Sequence, residues 1–320
     1  MKTAMTRPER GLALALLVTC GMAYSAGVGA QGAAAAAPPA QDFSQVQIKS
    51  TSLGSNVYML EGQGGTIGVL SGPNGVLMVD AQFAPLTEKI VAAIKQIAPS
   101  APIRYLVNTH VHGDHTGGNE NLGKLGVTIF AREQLRARLA RPNPLANGQP
   151  GVPAPGIALP VVTYDSPLTL WMDGEEARLI PVPRAHTDGD TMVYFARANV
   201  LFVGDFYRST GYPNIDRANG GTLPGMLDGL NTVTTLATAG TKIVPGHGAV
   251  VDKTAVARHR DMIVAVRDKV SALIRQNKTL EEVVASKPTA DWDSQVTGAT
   301  AMTADRFVGQ LYMELKSPAR

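Results

Sequence analysis

Three of the six histidines in this chain lie within six residues, in the run His110-Val111-His112-Gly113-Asp114-His115. The run directly follows Tyr105-Leu106-Val107, an apolar segment of the length and composition of a short buried strand. Because side chains alternate along an extended chain, the first two histidines point the same way, whereas the last two residues can turn elsewhere. Loops that leave strand ends are where α/β proteins build sites, so this run predicts a polar site at such an end.

Three more residues occupy the same kind of position, just after an apolar β-type run: His186, Asp205 and His247. Imidazole nitrogens and carboxylate oxygens are the donors that divalent zinc accepts when no thiolate is offered. The sixth histidine, His259, lies on a predicted helix between two arginines, where a surface position explains it. The pattern therefore predicts a site for two metal ions. The alternatives are unrelated loop histidines and a structural zinc, although structural sites favour closed cages that contain thiolates.

Residues 1–30 have the pattern of a secretory signal peptide. Three basic residues precede an apolar run from Gly11 to Met22, and Val28-Gly29-Ala30 fits a small-residue cleavage site. The apolar run is shorter than the ~20 residues that a membrane-spanning helix needs. We therefore expect a periplasmic or secreted protein without stable membrane association after cleavage. An N-terminal membrane anchor and a lipoprotein attached through Cys20 are the alternatives.

After this segment we expect an Ala- and Pro-rich disordered linker over residues 31–44 and one catalytic domain over residues 45–320, which includes C-terminal helices. Loss of residues 1–30 removes three of 29 basic and one of 26 acidic residues, and the single cysteine, so the mature chain is nearly neutral. Nucleic acid is therefore not an expected partner, and the expected partner is a small-molecule substrate. The oligomeric state is left open.

The body of the chain alternates β-type and helical patterns, which predicts an α/β fold. A Pro- and Gly-rich stretch at 142–160 is expected either to border the site or to be a plain surface insertion. The predicted strands lie at 57–60, 66–70, 76–79, 105–107, 168–171, 177–182, 191–196, 200–203 and 242–244. The predicted helices lie at 86–97, 131–140 and 223–239, with further helices from Asp252 and from the capping box of Thr279 and Glu282.

The string from Thr109 to Gly118, with His186, Gly204-Asp205 and Gly246-His247, resembles the metallo-β-lactamase fold superfamily over about residues 46–251. The resemblance implies a four-layer αββα sandwich with metals at one edge of two sheets. It implies that the first metal is bound by His110, His112 and His186, the second by Asp114, His115 and His247, with Asp205 bridging. It also implies that Asp80 orients a ligand from the outer shell, and Asp190 is a candidate for the same role.

The expected chemistry is hydrolysis. Two dications about 3.5–4 Å apart would share a water and lower its pKa from 15.7 toward ~7, which supplies a bridging hydroxide without a protein nucleophile. Asp114 is the candidate catalytic residue that orients this water or relays its proton. We therefore expect an exported hydrolase with two Zn²⁺ ions, or iron or manganese, that acts on a β-lactam, lactone, ester or thioester. No Gly-x-Ser-x-Gly motif supports serine hydrolysis.

The substrate is indicated only weakly. Asp205 stands where the best-known antibiotic-resistance subclass has a cysteine, and in this it resembles glyoxalase II-type and lactonase-like members. The stretch from His186 to Asp190 departs from the family's His-Thr-Pro-Gly-His, which weakens a close match to glyoxalase II. Tyr207, Arg208 and Tyr212 are the candidate substrate contacts. The alternative functions are an iron-dependent sulfur dioxygenase, a glyoxalase II-like thioesterase and a non-catalytic binder.

Overall fold

The structure is a computed structural model that describes residues 41–144 and 149–317. The predicted signal peptide and most of the predicted linker lie outside the described residues. The compact unit begins at Asp42, slightly before the predicted start at residue 45. Phe43 packs against Phe83 with ring centroids 5.3 Å apart, and Lys89 donates hydrogen bonds to the carbonyl oxygens of Phe43 and Ser44.

The described strands form two sheets. The seven-stranded sheet runs in chain order through β1 (Lys49–Gly54), β2 (Val57–Glu61), β3 (Ile67–Gly72), β4 (Gly75–Val79), β5 (Ile103–Val107), β6 (Thr128–Arg132) and β7 (Val162–Tyr164). The five-stranded sheet comprises β8 (Leu168–Met172), β9 (Glu175–Pro181), β10 (Thr191–Phe195), β11 (Val200–Gly204) and β12 (Lys242–Pro245), in the order β12-β11-β10-β9-β8. From β4 to β7 the neighbouring strands are parallel, as are β11 and β12.

The described α-helices are α1 (Thr87–Ile97), α2 (Gly113–Thr116), α3 (Asn119–Lys124), α4 (Glu133–Ala140), α5 (Leu223–Leu236), α6 (Lys253–Arg275), α7 (Leu280–Ala285) and α8 (Ala301–Lys316). Short 3₁₀ turns lie at Ala84–Leu86, Gly156–Ala158 and Arg217–Asn219. Within the described ranges, no helix has the length and apolar character to cross a membrane.

The layers follow from side-chain alternation in strands whose two faces are both buried. In β4, Leu77 and Val79 pack against the second sheet, whereas Val76 and Met78 pack against the layer of α1. The strand β10 repeats the pattern, because its even-numbered and odd-numbered residues enter different clusters. One cluster fills the space between the sheets, and the other packs β10 against α5, α6 and α8. The expected αββα sandwich is confirmed.

The strands β1, β6 and β7 were not predicted, and two predicted helices have different bounds. The helix predicted at 131–140 begins at Glu133, because Ala131 and Arg132 belong to β6, where they pair with β7 and Ala131 is fully buried. The helix predicted at 223–239 ends at Leu236. The capping box of Thr279 and Glu282 is present as predicted, at the start of α7.

Parallel strands bring the loops of the predicted site to one edge of the sandwich. The carboxyl ends of β4 and β5 lie side by side in the first sheet, and those of β11 and β12 in the second. Backbone hydrogen bonds join the two sheets at this edge: Thr191 N–H donates to the Thr109 carbonyl at 2.8 Å, and Thr66 N–H donates to the Gly246 carbonyl at 2.8 Å. The loops that follow these strands therefore have a fixed relative position.

Gly204, the last residue of β11, allows a close approach at this edge. Its φ is +60°, and an added Cβ would lie 3.0 Å from the Thr109 side chain. At Gly174, φ is +76° but a Cβ would meet nothing within 4 Å.

We expect Gly174→Ala to lower the free energy of unfolding by about 1–2 kcal/mol through backbone strain alone. Gly204→Ala should lower it further, as measured by urea denaturation, and equal losses would show that the contact with Thr109 does not matter.

Candidate metal centre

Seven side chains from four loops meet at the sandwich edge in two groups. Within each group, one donor atom from every residue lies within 4.8 Å of the others. The first group is His110, His112, His186 and Asp205, and the second is Asp114, His115 and His247. These are the seven residues that the sequence singled out as metal ligands.

Asp205 lies between the two groups. Its Oδ1 is 3.3 Å from Nε2 of His115, and its Oδ2 is 3.2 Å from Nε2 of His247. Its Oδ2 also lies 3.9 Å from Nε2 of His186, in the first group. In the second group, Asp114 Oδ2 is 3.2 Å from His247 Nε2. One carboxylate therefore reaches donor atoms of both groups.

Hydrogen bonds from behind fix the rings of the first group. The Nδ1–H of His186 donates to the Asn214 carbonyl at 2.7 Å, which leaves Nε2 facing the group. The ring of His112 is reversed: Nε2 contacts the Asp216 carboxylate at 2.7 Å, and Nδ1 lies 3.0 Å from Nε2 of His186. For His110, the Thr109 hydroxyl contacts Nδ1 at 3.0 Å and Nε2 faces inward. Partners of this kind orient metal-ligating histidines in proteins.

Asp80 holds the second group in place. Its Oδ2 lies 2.7 Å from His115 Nδ1, and the same carboxylate accepts hydrogen bonds from the backbone N–H and the hydroxyl of Thr109 at 2.7 and 2.6 Å. Asp80 is 1% exposed and has a φ of +64°, a conformation that aspartate tolerates better than most residues. The side chain thus lies where the resemblance placed an orienting carboxylate.

Asp190 acts on the backbone of His186. Its carboxylate accepts the N–H of His186 at 2.6 Å and that of Thr187 at 3.0 Å. Burial raises the pKa of the Asp190 carboxyl to about 7, despite these hydrogen bonds. Asp190 therefore fixes the turn that carries His186 and does not itself reach either donor group.

The donor atoms have the chemistry that a dication requires. Among the described residues, Nε2 of His110, Nε2 of His115 and Oδ1 of Asp205 are buried and have no hydrogen-bond partner. Burial lowers the pKa of His110 well below its ordinary value and that of His186 to about 4, so both rings are neutral. Burial would raise the pKa of Asp205, but His115 and His247 hold it well below its usual range. The neutral imidazoles of the first group beside an ionised carboxylate fit a divalent cation. In the second group, burial would lower the pKa of His115, but Asp80 and Asp205 raise it well above its ordinary value, so a cation bound there would displace a proton.

Sequence reasoning missed Asp216 and Asn214, which orient two of the imidazoles. They lie in the segment 214–219, which has no motif, and Asp216 is 104 residues from the histidine that it contacts. The Pro- and Gly-rich stretch borders this segment, because Asn143 donates a hydrogen bond to the Ala218 carbonyl at 2.8 Å. The polar composition of 214–219 is the one signal that could have drawn attention to it.

The structure separates the three candidate substrate contacts. Tyr212 is 0% exposed, its hydroxyl donates to Asp293 at 2.6 Å, and its ring stacks on Phe307, so it belongs to the core. Tyr207 and Arg208 line a cavity. His259 lines the same cavity and is half-buried, with its Nε2 buried, so it is less exposed than the expected surface position.

Comparisons with known proteins agree with this geometry. A family model described as the metallo-beta-lactamase superfamily matches residues 53–247. The chain is 31% identical over 139 residues to a hydroxyacylglutathione hydrolase of Rhodospirillum rubrum, a match that covers 43% of this chain and 46% of that protein. The chain thus spans about half the length of this curated relative.

Two solved structures share the fold. The sec-alkylsulfatase Pisa1 from Pseudomonas sp. is 17% identical with a TM-score of 0.65, over 83% of this chain and 50% of that one. A metallo-beta-lactamase from Pontibacter korlensis is 20% identical with a TM-score of 0.53, over 67% of this chain and 98% of that one. At identities of 17% and 20%, the likeness to these structures shows a shared fold and nothing about function.

The contact of Asp216 with His112 provides a test of the first donor group. We expect Asp216→Ala to weaken metal binding there by about 10–100-fold, because the His112 ring loses the partner that orients it. Competition with a chromophoric chelator measures the affinity. Asn219→Ala is the matched control, because it removes a hydrogen-bond partner of Asp216 and leaves the contact with His112 in place. An equal loss of affinity in both variants would contradict the assigned role.

Proposed function

The chain belongs to the metallo-beta-lactamase superfamily, and from this premise we propose that it is a zinc-dependent hydrolase with two metal ions that cleaves a carbonyl substrate. The observation that carries the proposal is the pair of donor groups with Asp205 between them. Three donor residues lie in each group besides Asp205, which leaves coordination positions for water and substrate. The first ion would be held by His110, His112 and His186, and the second by Asp114, His115 and His247.

When bound, the two ions would activate a shared water near neutral pH and polarise a substrate carbonyl. The chain's own contribution begins with Asp114, whose side chain is 25% exposed although its neighbour His115 is fully buried. Burial would raise the pKa of Asp114, but the hydrogen bond from His247 and the charge of His115 hold it below its ordinary value. An ionised, partly exposed carboxylate at this position can accept a hydrogen bond from water and receive its proton.

We propose a β-lactam, lactone, ester or thioester as the substrate class. The similarity to a hydroxyacylglutathione hydrolase supports a second candidate function, a glyoxalase II-like thioesterase, within the same chemistry. An iron-dependent sulfur dioxygenase is the alternative from a different class of enzyme. The second donor group, complete with Asp114, His115 and His247, supports the hydrolase. Metal analysis and oxygen uptake distinguish the two classes.

Metal content and turnover test the proposal together. The purified mature protein should bind about two equivalents of zinc and hydrolyse a member of a panel of β-lactams, lactones and thioesters, and chelation should abolish turnover. We expect His112→Ala to bind about one equivalent and to lose turnover while its circular dichroism spectrum is unchanged. Asp268→Ala, at an exposed ion pair on α6, is the control. Turnover that persists after chelation, or dioxygen uptake by an iron-loaded protein, would contradict the hydrolase.

Export is a separate proposal that rests on residues 1–30. We propose that this segment directs secretion and is cleaved after Ala30, so that the mature protein works in the periplasm or outside the cell. Intact-mass measurement of the protein from the periplasmic fraction of a bacterial host should show loss of 30 residues. A protein that keeps its full mass, or carries lipid at Cys20, would contradict cleavage at this point.

A further inference from the structure

The support segment, residues 212–222, lies behind the first donor group. Its Asn214 carbonyl accepts the Nδ1–H of His186, and its Asp216 carboxylate contacts Nε2 of His112, each at 2.7 Å. Apart from one 3₁₀ turn the segment belongs to no helix or strand, so hydrogen bonds with other elements must fix its position. The elements that make these bonds therefore influence both imidazoles.

Three side chains of the C-terminal helix α8 hold the support segment. Arg306 donates to the Tyr212 carbonyl at 3.2 Å, and the Glu314 carboxylate accepts the Leu223 N–H at 3.0 Å, just beyond the other end. Gln310 lies midway between these two residues on the helix. Side chains that are four residues apart lie on one side of a helix, so a single face of α8 follows the segment along its length.

Gln310 makes the central contact. Its Oε1 accepts the Ile215 N–H at 3.0 Å, and its Nε2 donates to the Asn214 side-chain oxygen at 2.7 Å. A backbone N–H can only donate, so it determines which end of the Gln310 amide is the oxygen, and the nitrogen then meets an acceptor. One side chain thus binds two consecutive residues, and the first of them presents its carbonyl to His186.

The core holds α8 in place. Phe307 and Leu311 are fully buried and Val308 is 2% exposed, all within the cluster that packs β10 against the helices. A capping box of Thr300 and Thr303 begins the helix. A helix with a buried apolar side and a satisfied start is a fixed element from which a polar side chain can hold a loop.

The helix α8 lies outside the part of the chain that the family model matches. That match ends at residue 247, whereas α8 begins at Ala301. The seven donor residues and their partners Asp80, Asn214 and Asp216 all lie within the matched range. The contacts of Gln310 therefore connect the metal centre to a part of the chain beyond the matched range.

The loss of Gln310 would disturb the support segment at a buried point. Ile215 is 1% exposed, and its N–H would have no partner in the described part of the chain. A buried N–H without a partner is costly, so the segment would have to shift toward water. The Asn214 carbonyl, which belongs to the same peptide unit, would move with it.

We propose that Gln310 is a positioning residue for the first metal ion. By holding Asn214 and Ile215 it keeps the Asn214 carbonyl on the Nδ1–H of His186. A neutral imidazole with its proton on Nδ1 has its free electron pair on Nε2, and this nitrogen faces the donor group. The inference rests on the proposed function, because it assigns a role in the proposed metal centre, but the hydrogen bond of the ring can be tested without metal.

Proton exchange at the His186 ring in the metal-free mature protein tests this hydrogen bond. Nuclear magnetic resonance should show a slowly exchanging Nδ1–H, identified by its absence in His186→Gln. Gln310→Met keeps the length of the side chain without the amide and should speed the exchange about tenfold or more, because the segment opens more easily. Asn214→Ala keeps the carbonyl, loses one of the two contacts with Gln310, and should speed the exchange less.

Zinc affinity is the second measurement. In competition with a chromophoric chelator, Gln310→Met should bind one of two zinc equivalents about tenfold more weakly. The other equivalent should be unaffected, because Asp80 holds the second donor group. Val308→Ala is the control, since it truncates a core side chain on the opposite side of α8. It should lower the thermal unfolding midpoint and leave the ring exchange and both zinc affinities unchanged.

Faster exchange together with weaker binding of one equivalent supports the positioning role. Unchanged exchange or unchanged affinity in Gln310→Met overturns it while zinc binding by the wild type still supports the proposed function. The same changes in Val308→Ala would show a loss of stability alone and also overturn it. A wild-type protein that binds no zinc would overturn the proposed function and with it the role of Gln310 toward a metal.

Discussion

The carboxylate of Asp80 is the interaction on which the arrangement of the metal centre depends. It joins the end of β4 to the loop after β5 through three contacts, two with Thr109 and one with the ring of His115. That loop carries four of the seven donor residues, so one buried side chain sets the position of more than half of the site. Because Asp80 is almost fully buried, breaking these contacts would leave its polar atoms without partners, so the loop has little freedom to move.

Neighbouring protein groups hold the imidazoles at this edge in place. Each ring of the first group has one nitrogen held from behind and the other directed inward, and the partners differ in kind: a hydroxyl, a carboxylate and a backbone carbonyl. His247 differs, because its Nε2 contacts only acids of the site itself, Asp114 and Asp205. Desolvated donors that are fixed in this way lose little conformational entropy when an ion binds, which favours tight binding.

The sequence was sufficient to predict the donor residues, but it did not reveal the residues that orient their rings. His110 to His115, His186, Asp205 and His247 each follow a strand with a clear apolar pattern, which made them candidates. Their convergence was expected from the resemblance to the family, since the preceding strands belong to two sheets and β9 is antiparallel to its neighbours. Asp216 and Asn214 follow no strand and lie in a polar segment like many others, so only the folded chain brings them to the rings. The strand β6 was missed because its last residues, Ala131 and Arg132, also suit the start of a helix, and pairing with β7 decided the outcome.

His259 shows the limit of local patterns in another way. Two arginines flank it on α6, and this indicates a solvent-exposed turn, but the ring contacts Tyr207 and is half-buried. The ring faces the loop after β11, where Tyr207 and Arg208 follow Asp205. Asp205, which precedes these two residues, lies within 3.3 Å of His115 and His247. One short loop thus supplies Asp205 to the donor groups and Tyr207 and Arg208 to the lining of a neighbouring cavity.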